Sequence, residues 1–194
     1  MAHCAVLTND LQYDLVNKNE ERRAAVAAFT PGMQRFLAEM RTLGVPVVHL
    51  QLINLDDDPH AERYDGWLPA TKGSDGARIV QEFLAAEDVV VEKNKDSGFF
   101  ETELHDRLQE LGVDTVIITG MQTQICVQTT AADAFFRGYN VIVPPDAVVS
   151  ARPEDQARAL EWLGSYCATI ITTSELAAAI AQDSLPTFSV VPIP

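Results

Sequence analysis

The fold is decided by the segment Val116-Ile-Ile-Thr-Gly120-Met-Gln-Thr-Gln-Ile-Cys126-Val-Gln-Thr-Thr-Ala-Ala-Asp-Ala-Phe-Phe-Arg-Gly138. Residues 116–118 form a short apolar, β-branched run that predicts a strand, and Gly120 interrupts it. From Ile125 onward the apolar residues recur at helical spacing until the segment ends. The segment therefore predicts a strand, a tight turn and a helix that carries Cys126 in its first turn.

Cys126 has two interpretations at this position. A thiol in the first turn of a helix lies among unpaired backbone N–H groups and at the positive end of the helix dipole, so we expect its pKa to fall. The same N–H groups could hold an oxyanion. The alternative is a buried cysteine that packs like a small hydrophobic residue and is inert. Position alone leaves both interpretations open.

The composition narrows the class of protein. A chain of 194 residues predicts one domain, residues 1–194. The formal charge of -14 and the lack of a Lys/Arg cluster argue against nucleic acid or an anionic membrane as a partner. No apolar run reaches the length of a membrane span. Three cysteines without a CxxC pair or a zinc-ligand spacing favour a reducing, cytoplasmic location.

Apolar runs that alternate with helical spacing predict an α/β domain with a mainly parallel, six-stranded sheet and right-handed crossovers. Thr30-Pro31 interrupts the first helical pattern and is compatible with the start of a second helix. Strands are expected at residues 4–9, 45–53, 89–91, 116–118, 139–143 and 166–171, and helices at 20–43, 79–84, 101–111, 125–138, 153–163 and 175–181.

Three polar residues follow strands and should meet at one edge of this sheet. Asp10 follows the first strand, Lys93 the third and Cys126 the fourth. In open parallel sheets the ligand crevice lies outside the carboxyl ends of the strands. With the strand order 3-2-1-4-5-6, the first and fourth strands are neighbours and Asp10 faces Cys126. A carboxylate there can take the proton of the thiol, and an ammonium group can stabilise the thiolate.

Alternatives exist for each of these roles. Lys93 could be a solvated lysine, as we expect for Lys95, and His49 could serve as the base, although a core histidine is the more common outcome in a strand.

Residues 54–76 show no periodicity, and a loop of that length is usually functional or disordered. Its Tyr64 and Trp67 could line a substrate pocket or cover the core.

The motifs around these residues carry a resemblance to a known family. Asn9-Asp10-Leu-Gln12-Tyr-Asp14, Lys93-x-x-x-Ser97-Gly-Phe99 and Gly120-x-x-Thr123-x-x-Cys126-Val-x-x-Thr130-Ala-x-Asp133-Ala-x-x-x-Gly138-Tyr together resemble the isochorismatase-like cysteine hydrolases. The resemblance covers residues 4 to about 176, and residues 183–194 are expected to form a carboxyl-terminal tail. It implies a Rossmann-like, three-layer α/β/α sandwich and a homo-oligomer, a dimer or higher, that acts on a small molecule.

The resemblance also assigns residues. It implies an Asp10-Lys93-Cys126 catalytic triad and a cis peptide bond between Met121 and Gln122. It makes the N–H groups of Gln122 and Cys126 candidates for an oxyanion hole. As substrate-binding residues we expect Gln12, Tyr13, Tyr64, Trp67 and Phe99.

The expected activity is hydrolysis of a C–N bond in a small amide, ureido or carbamoyl compound through a thioester. The alternatives are an isochorismatase-type vinyl ether hydrolase and a non-catalytic or redox-responsive oligomeric protein. Metal-dependent nicotinamidases of the family carry Asp-x-His and a further His after the second strand, whereas this chain reads His49-Leu-Gln-Leu-Ile-Asn-Leu-Asp56. We therefore expect no metal and no cofactor.

Overall fold

The centre of the molecule is a parallel sheet of six strands. The computed structural model describes residues 3–55, 57 and 68–189. The strands are paired in the order β3-β2-β1-β4-β5, and β6 pairs with the end of β4. This confirms the predicted α/β class. The strands are β1 (Cys4–Asn9), β2 (Val47–Leu52), β3 (Val89–Lys93), β4 (Thr115–Met121), β5 (Asn140–Ile142) and β6 (Val148–Val149).

Helices cover both faces of the sheet and make it the middle of three layers. The alternation of β1 shows why: Val6 packs into a cluster with α2 and α6, and Leu7 packs into a second cluster with α3, α4 and α5. The helices are α1 (Tyr13–Val16), α2 (Glu20–Thr42), α3 (Leu104–Glu110), α4 (Gln128–Phe136), α5 (Pro153–Tyr166) and α6 (Thr173–Ala181). A π-helical turn, Thr123–Val127, precedes α4, and 3-10 turns lie at Asp75–Ala77 and Gln81–Phe83.

The predicted sixth strand, and with it the predicted strand order at that edge, is wrong. Helix α5 continues to Tyr166, and Thr172 already caps α6, so the connection between them is short. Within that connection Thr169 forms a single parallel bridge with Ile142. The sixth strand is instead Val148–Val149, which pairs with β4 beyond the end of β5.

Two helix predictions also need correction. Residues 79–84 form no α-helix, and Gln81–Phe83 is a 3-10 turn. Helix α2 runs unbroken through Pro31. A proline removes one intrahelical hydrogen bond, here the one to the carbonyl of Ala27, and that residue is exposed, so water can replace the lost donor.

The contact between β1 and β4 sets the position of the residues that follow both strands. Gly120 has a φ of +95°, and a Cβ atom built on it would lie 2.4 Å from the carbonyl oxygen of Asn9. Only glycine permits this approach of the two backbones. The approach brings Asp10, directly after β1, next to the turn that follows β4.

Across residues 3–55, 57 and 68–189, no helix combines the length and the apolar character that a membrane span would need.

Candidate active site

Asp10 and Lys93 form a buried ion pair at the carboxyl ends of β1 and β3. Nζ of Lys93 lies 3.0 Å from Oδ1 and 3.1 Å from Oδ2 of Asp10. The same ammonium group donates hydrogen bonds to the carbonyl oxygens of Lys95, at 3.1 Å, and Asp96, at 3.2 Å. Asp10 itself has a φ of +56°, which turns its side chain away from the strand direction. The sheet therefore brings these two predicted residues together.

Cys126 lies in the π-helical turn after β4 and contacts two carboxylates. Its Sγ is 3.7 Å from Oδ1 of Asp96. The thiol also faces Asp10 closely enough for a hydrogen bond between the two groups to act on both pKa values. The carbonyl of Gln122 closes the turn by accepting hydrogen bonds from the N–H groups of Ile125, at 3.0 Å, and Val127, at 3.3 Å. Asp10, Lys93 and Cys126 thus share one site.

The protonation states follow from burial and mutual charge. Burial raises the pKa of the Cys126 thiol well above its usual value, and the charge of Asp10 raises it further. The expectation that the helix terminus lowers this pKa is therefore wrong, because the thiol is buried beside carboxylates. Burial also raises the pKa of Asp10, with Lys93 opposing the shift. The pKa of Lys93 is raised because Asp10 and Cys126 outweigh the effect of burial. The resting site holds a neutral thiol beside a lysine ammonium.

The peptide bond between Met121 and Gln122 is cis. Gln122 is 7% exposed. Its side-chain Oε1 accepts a hydrogen bond from the N–H of Ala151 at 3.1 Å, which fixes the orientation of the amide. Nε2 is buried and has no hydrogen-bond partner among the described residues. The site therefore presents an unused amide donor from Gln122.

A cavity of about 120 Å³ opens onto the cysteine. Pockets for drug-sized ligands usually hold about 300–1,000 Å³, so this cavity suits a small substrate. Both charged and apolar side chains form its wall. The described lining residues are Asp10, Leu15, Lys18, Arg22, Leu52, Pro69, Asp96, Met121, Gln122, Ile125 and Cys126.

Three predicted substrate-binding residues lie apart from this lining. Gln12 is fully buried, and its amide donates to the carbonyls of Leu52, at 2.7 Å, and Ala77, at 2.8 Å. Because its Oε1 also accepts from the Leu52 N–H, Gln12 connects β2 to the loop after it. The hydroxyl of Tyr13 accepts a hydrogen bond from the Gln81 N–H at 3.3 Å.

Phe99 is 3% exposed and stacks on Tyr139 with ring centroids 5.8 Å apart, so it belongs to the core. Tyr64 and Trp67, the remaining predicted substrate contacts, lie outside the described residues. His49, the alternative base, is also a core residue. Its Nδ1 is 2.7 Å from Oγ1 of Thr8, and its Nε2 is 3.0 Å from Oδ2 of Asp88.

Sequence reasoning missed three charged residues of the cavity, namely Lys18, Arg22 and Asp96. Arg22 lies in the run Glu20-Glu-Arg-Arg, which is typical of a solvated helix start, so no local signal marked it. Asp96 immediately precedes Ser97 in the second motif, and its position between Lys93 and Ser97 could have drawn attention to it.

The parallel α/β sheet presents a cysteine beside a buried aspartate–lysine pair. The chain belongs to the isochorismatase family, whose domain model, "Isochorismatase domain", matches residues 4–175. This confirms the resemblance to the family.

Solved structures of the family share the whole fold. An isochorismatase family protein from Desulfovibrio vulgaris superimposes with a TM-score of 0.83 at 27% identity, over 93% of this chain and 100% of that chain. N-carbamoylsarcosine amidase from Thermoplasma acidophilum superimposes with a TM-score of 0.74 at 32% identity, over 89% of this chain and 97% of that chain.

Several curated relatives match over shorter stretches. Ureidoacrylate amidohydrolase RutB of Enterobacter sp. strain 638 is 34% identical over 116 residues, which is 59% of this chain and 50% of that protein. The chain spans about half the length of the first curated relatives that it matches.

Proposed function

We propose that this protein hydrolyses a C–N bond of a small amide, ureido or carbamoyl compound through a thioester, with Asp10, Lys93 and Cys126 as its catalytic triad. The observation that carries the proposal is the placement of Cys126 in a small cavity beside the buried Asp10–Lys93 pair. A nucleophile next to a base whose orientation is fixed by a third group is the general pattern of covalent catalysis.

Asp10 is the base in this mechanism. Its Oδ2 accepts a hydrogen bond from Lys93, and the thiol of Cys126 lies close enough to the carboxylate to give it a proton. The raised pKa of Asp10 increases its affinity for that proton. Lys93 keeps its charge and compensates the negative charge that moves from the carboxylate to Sγ.

The reaction then has two halves. Asp10 takes the proton from Cys126, and the thiolate forms a bond to the substrate carbonyl carbon. The backbone N–H groups of Gln122 and Cys126 are the proposed donors to the oxyanion. When the C–N bond breaks, Asp10 gives the proton to the leaving nitrogen. Water, deprotonated by Asp10, then attacks the thioester, the C–S bond breaks, and the proton returns to Sγ.

Two relatives support the choice of a C–N bond. One is named a ureidoacrylate amidohydrolase and the other an N-carbamoylsarcosine amidase. A vinyl ether can be hydrolysed by protonation and attack of water, without a nucleophilic side chain, so the cysteine in the cavity favours C–N hydrolysis.

The test is ammonia release from a panel of small amides, ureido acids and carbamoyl compounds. Release should disappear in Cys126→Ala and persist in Cys167→Ala, which removes a buried cysteine outside the cavity. The proposal would be contradicted if the wild type released no ammonia from any compound of the panel. Isochorismate turnover, or a reversible disulfide at Cys126 without turnover, would then identify one of the alternatives.

A further inference from the structure

Arg22 lies in the first turn of α2, and its half-buried side chain is incompletely paired. Nη1 donates a hydrogen bond to the carbonyl of Leu15 at 3.3 Å. Nε is buried and has no hydrogen-bond partner among the described residues. No carboxylate of residues 3–55, 57 or 68–189 contributes to its pKa, which burial lowers. This differs from Arg41, whose guanidinium binds both oxygens of Asp88.

An unpaired, partly desolvated guanidinium is costly, because burial removes water without supplying a replacement for its hydrogen bonds. Arginine residues in such places normally bind a carboxylate or a phosphate, whose geometry matches the planar guanidinium. The missing partner of Arg22 is therefore expected to be an anion, which the described residues do not supply.

The cavity wall places Arg22 in the same space as the nucleophile. Arg22 and Cys126 both line the cavity, and a thiolate at Cys126 raises the pKa of Arg22, against the effect of burial. Lys18 also lines the cavity and adds a second positive charge. A compound that reaches Cys126 therefore meets Arg22.

The charges of the wall are arranged unevenly. Two carboxylates, of Asp10 and Asp96, lie beside the thiol, and the one ammonium group of Lys93 forms an ion pair with Asp10 and bonds only the backbone carbonyl of Asp96. An anionic group is repelled from the thiol and attracted to the two cations from the α1–α2 region. The wall therefore selects one orientation of a substrate that carries a negative charge.

We propose that Arg22 binds a carboxylate of the substrate, and that the substrate is a small amido or ureido acid rather than an uncharged amide. The identity of the hydrolysed group rests on the proposed function, whereas the anion site at Arg22 does not. Lys18 contributes to attraction of the anion, and the free Nε2 of Gln122 offers a further hydrogen-bond donor in the same cavity.

Alkylation of Cys126 tests the anion site without any substrate. Iodoacetate carries a carboxylate and iodoacetamide does not, so the ratio of their rates at Cys126 reports anion binding beside the thiol. We expect Arg22→Gln to lower this ratio about tenfold, the effect of losing one charged hydrogen bond. Arg23→Gln, at the exposed next position, should leave it unchanged. Peptide mass spectrometry separates Cys126 from the other two cysteines.

Arg22→Lys keeps a positive charge and should restore part of the ratio, which separates an anion site from damage to the fold. An equal ratio in the wild type, Arg22→Gln and Arg23→Gln would overturn the proposal. The proposal would also be overturned if the ratio fell in Arg22→Gln and Arg22→Lys did not restore any of it.

A second test of the proposal measures turnover of substrates. With 3-ureidopropionate and the uncharged butylurea as a matched pair, the wild type should prefer the acid. Arg22→Gln should raise KM for the acid with little change in kcat, since the interaction is remote from the reacting bond. Equal use of both compounds would overturn the substrate class. If no C–N compound is turned over, the proposed function fails, and the alkylation ratio still decides the anion site.

Discussion

Nζ of Lys93 lies 3.0 Å from Oδ1 of Asp10, and the two side chains are only 0% and 4% exposed. Two charges so deeply buried depend on each other, because neither can be solvated when its partner is lost. The pair is therefore a structural element of the core as well as a candidate catalytic element.

Single substitutions in this pair should cost stability as well as activity. Asp10→Asn keeps the left-handed backbone, which asparagine tolerates, but leaves the Lys93 ammonium uncompensated. We expect a loss of about 3–5 kcal/mol in the free energy of unfolding, measured by urea titration, for this variant and for Lys93→Met. The double variant should recover most of that loss and stay inactive. Strictly additive losses would show that the two charges do not depend on each other.

Cys126 should alkylate slowly at neutral pH, because its thiol pKa is raised by burial and by Asp10. The rate with iodoacetamide should keep rising above the pH at which an ordinary cysteine has ionised. Asp96→Asn removes a carboxylate 3.7 Å from Sγ and should shift the dependence of the alkylation rate on pH to lower pH. Asp106→Asn, exposed on α3, serves as the control. A wild-type rate that levels off near pH 7 would contradict the raised pKa.

Asp88 should make the fold sensitive to acid. Burial alone would raise its pKa, but hydrogen bonds from His49 and Arg41 outweigh burial and lower the pKa to about 2, from an ordinary value of 3.8. A lowered pKa stabilises the folded state above the ordinary value, and this contribution is lost as the pH falls from about 4 to about 2. We expect about 2 kcal/mol to be lost there.

Urea titrations at a series of pH values measure this loss. In Asp88→Asn the free energy of unfolding should fall less between about pH 4 and pH 2 than in the wild type. Asp75→Asn, at a side chain that is 97% exposed, should behave like the wild type. An unchanged fall in Asp88→Asn would assign the sensitivity to other carboxylates.

Two glycine-to-alanine substitutions should change the stability of the fold in opposite directions. Gly120→Ala places a Cβ atom 2.4 Å from a backbone oxygen at a φ of +95°, so it should destabilise the fold by more than about 1 kcal/mol. Gly32 lies within α2 with no heavy atom within 4 Å of its Cβ position, so Gly32→Ala should stabilise the fold by about 0.5–1 kcal/mol. The midpoints of thermal unfolding compare the two. Equal effects would show that the close contact at Gly120 relaxes.

Much of the fold could be predicted from local pattern. Buried parallel strands read as continuous apolar runs, which is why the first five strands, the α/β class and the polar residues at the strand ends were predictable. The sixth strand was not, because the apolar run at 166–171 serves as the end of α5 and the connection to α6. Apolar content alone does not distinguish these uses.

The site residues that directly follow strands could be predicted from the sequence. Those whose position depends on packing between distant segments could not. Asp10, Lys93 and Cys126 are placed by the topology of the sheet. The role of Gln12 depends on two carbonyls from distant segments, Leu52 and Ala77, and Arg22 reaches the cavity from a helix whose local sequence is charged. Such contacts have no local signature. The pKa of Cys126 likewise depends on the depth of the cavity, which the sequence does not specify.

The ion pair joins residues that are 83 positions apart in the chain, and Cys126 lies in the turn that follows a third strand, β4. Contacts of such long sequence separation form late, because the loop-closure entropy must be overcome first. No fragment that lacks one of these three strands can contain the complete proposed triad. Recovery of activity during refolding would therefore mark the completion of the whole sheet, and it should lag behind the return of helical signal.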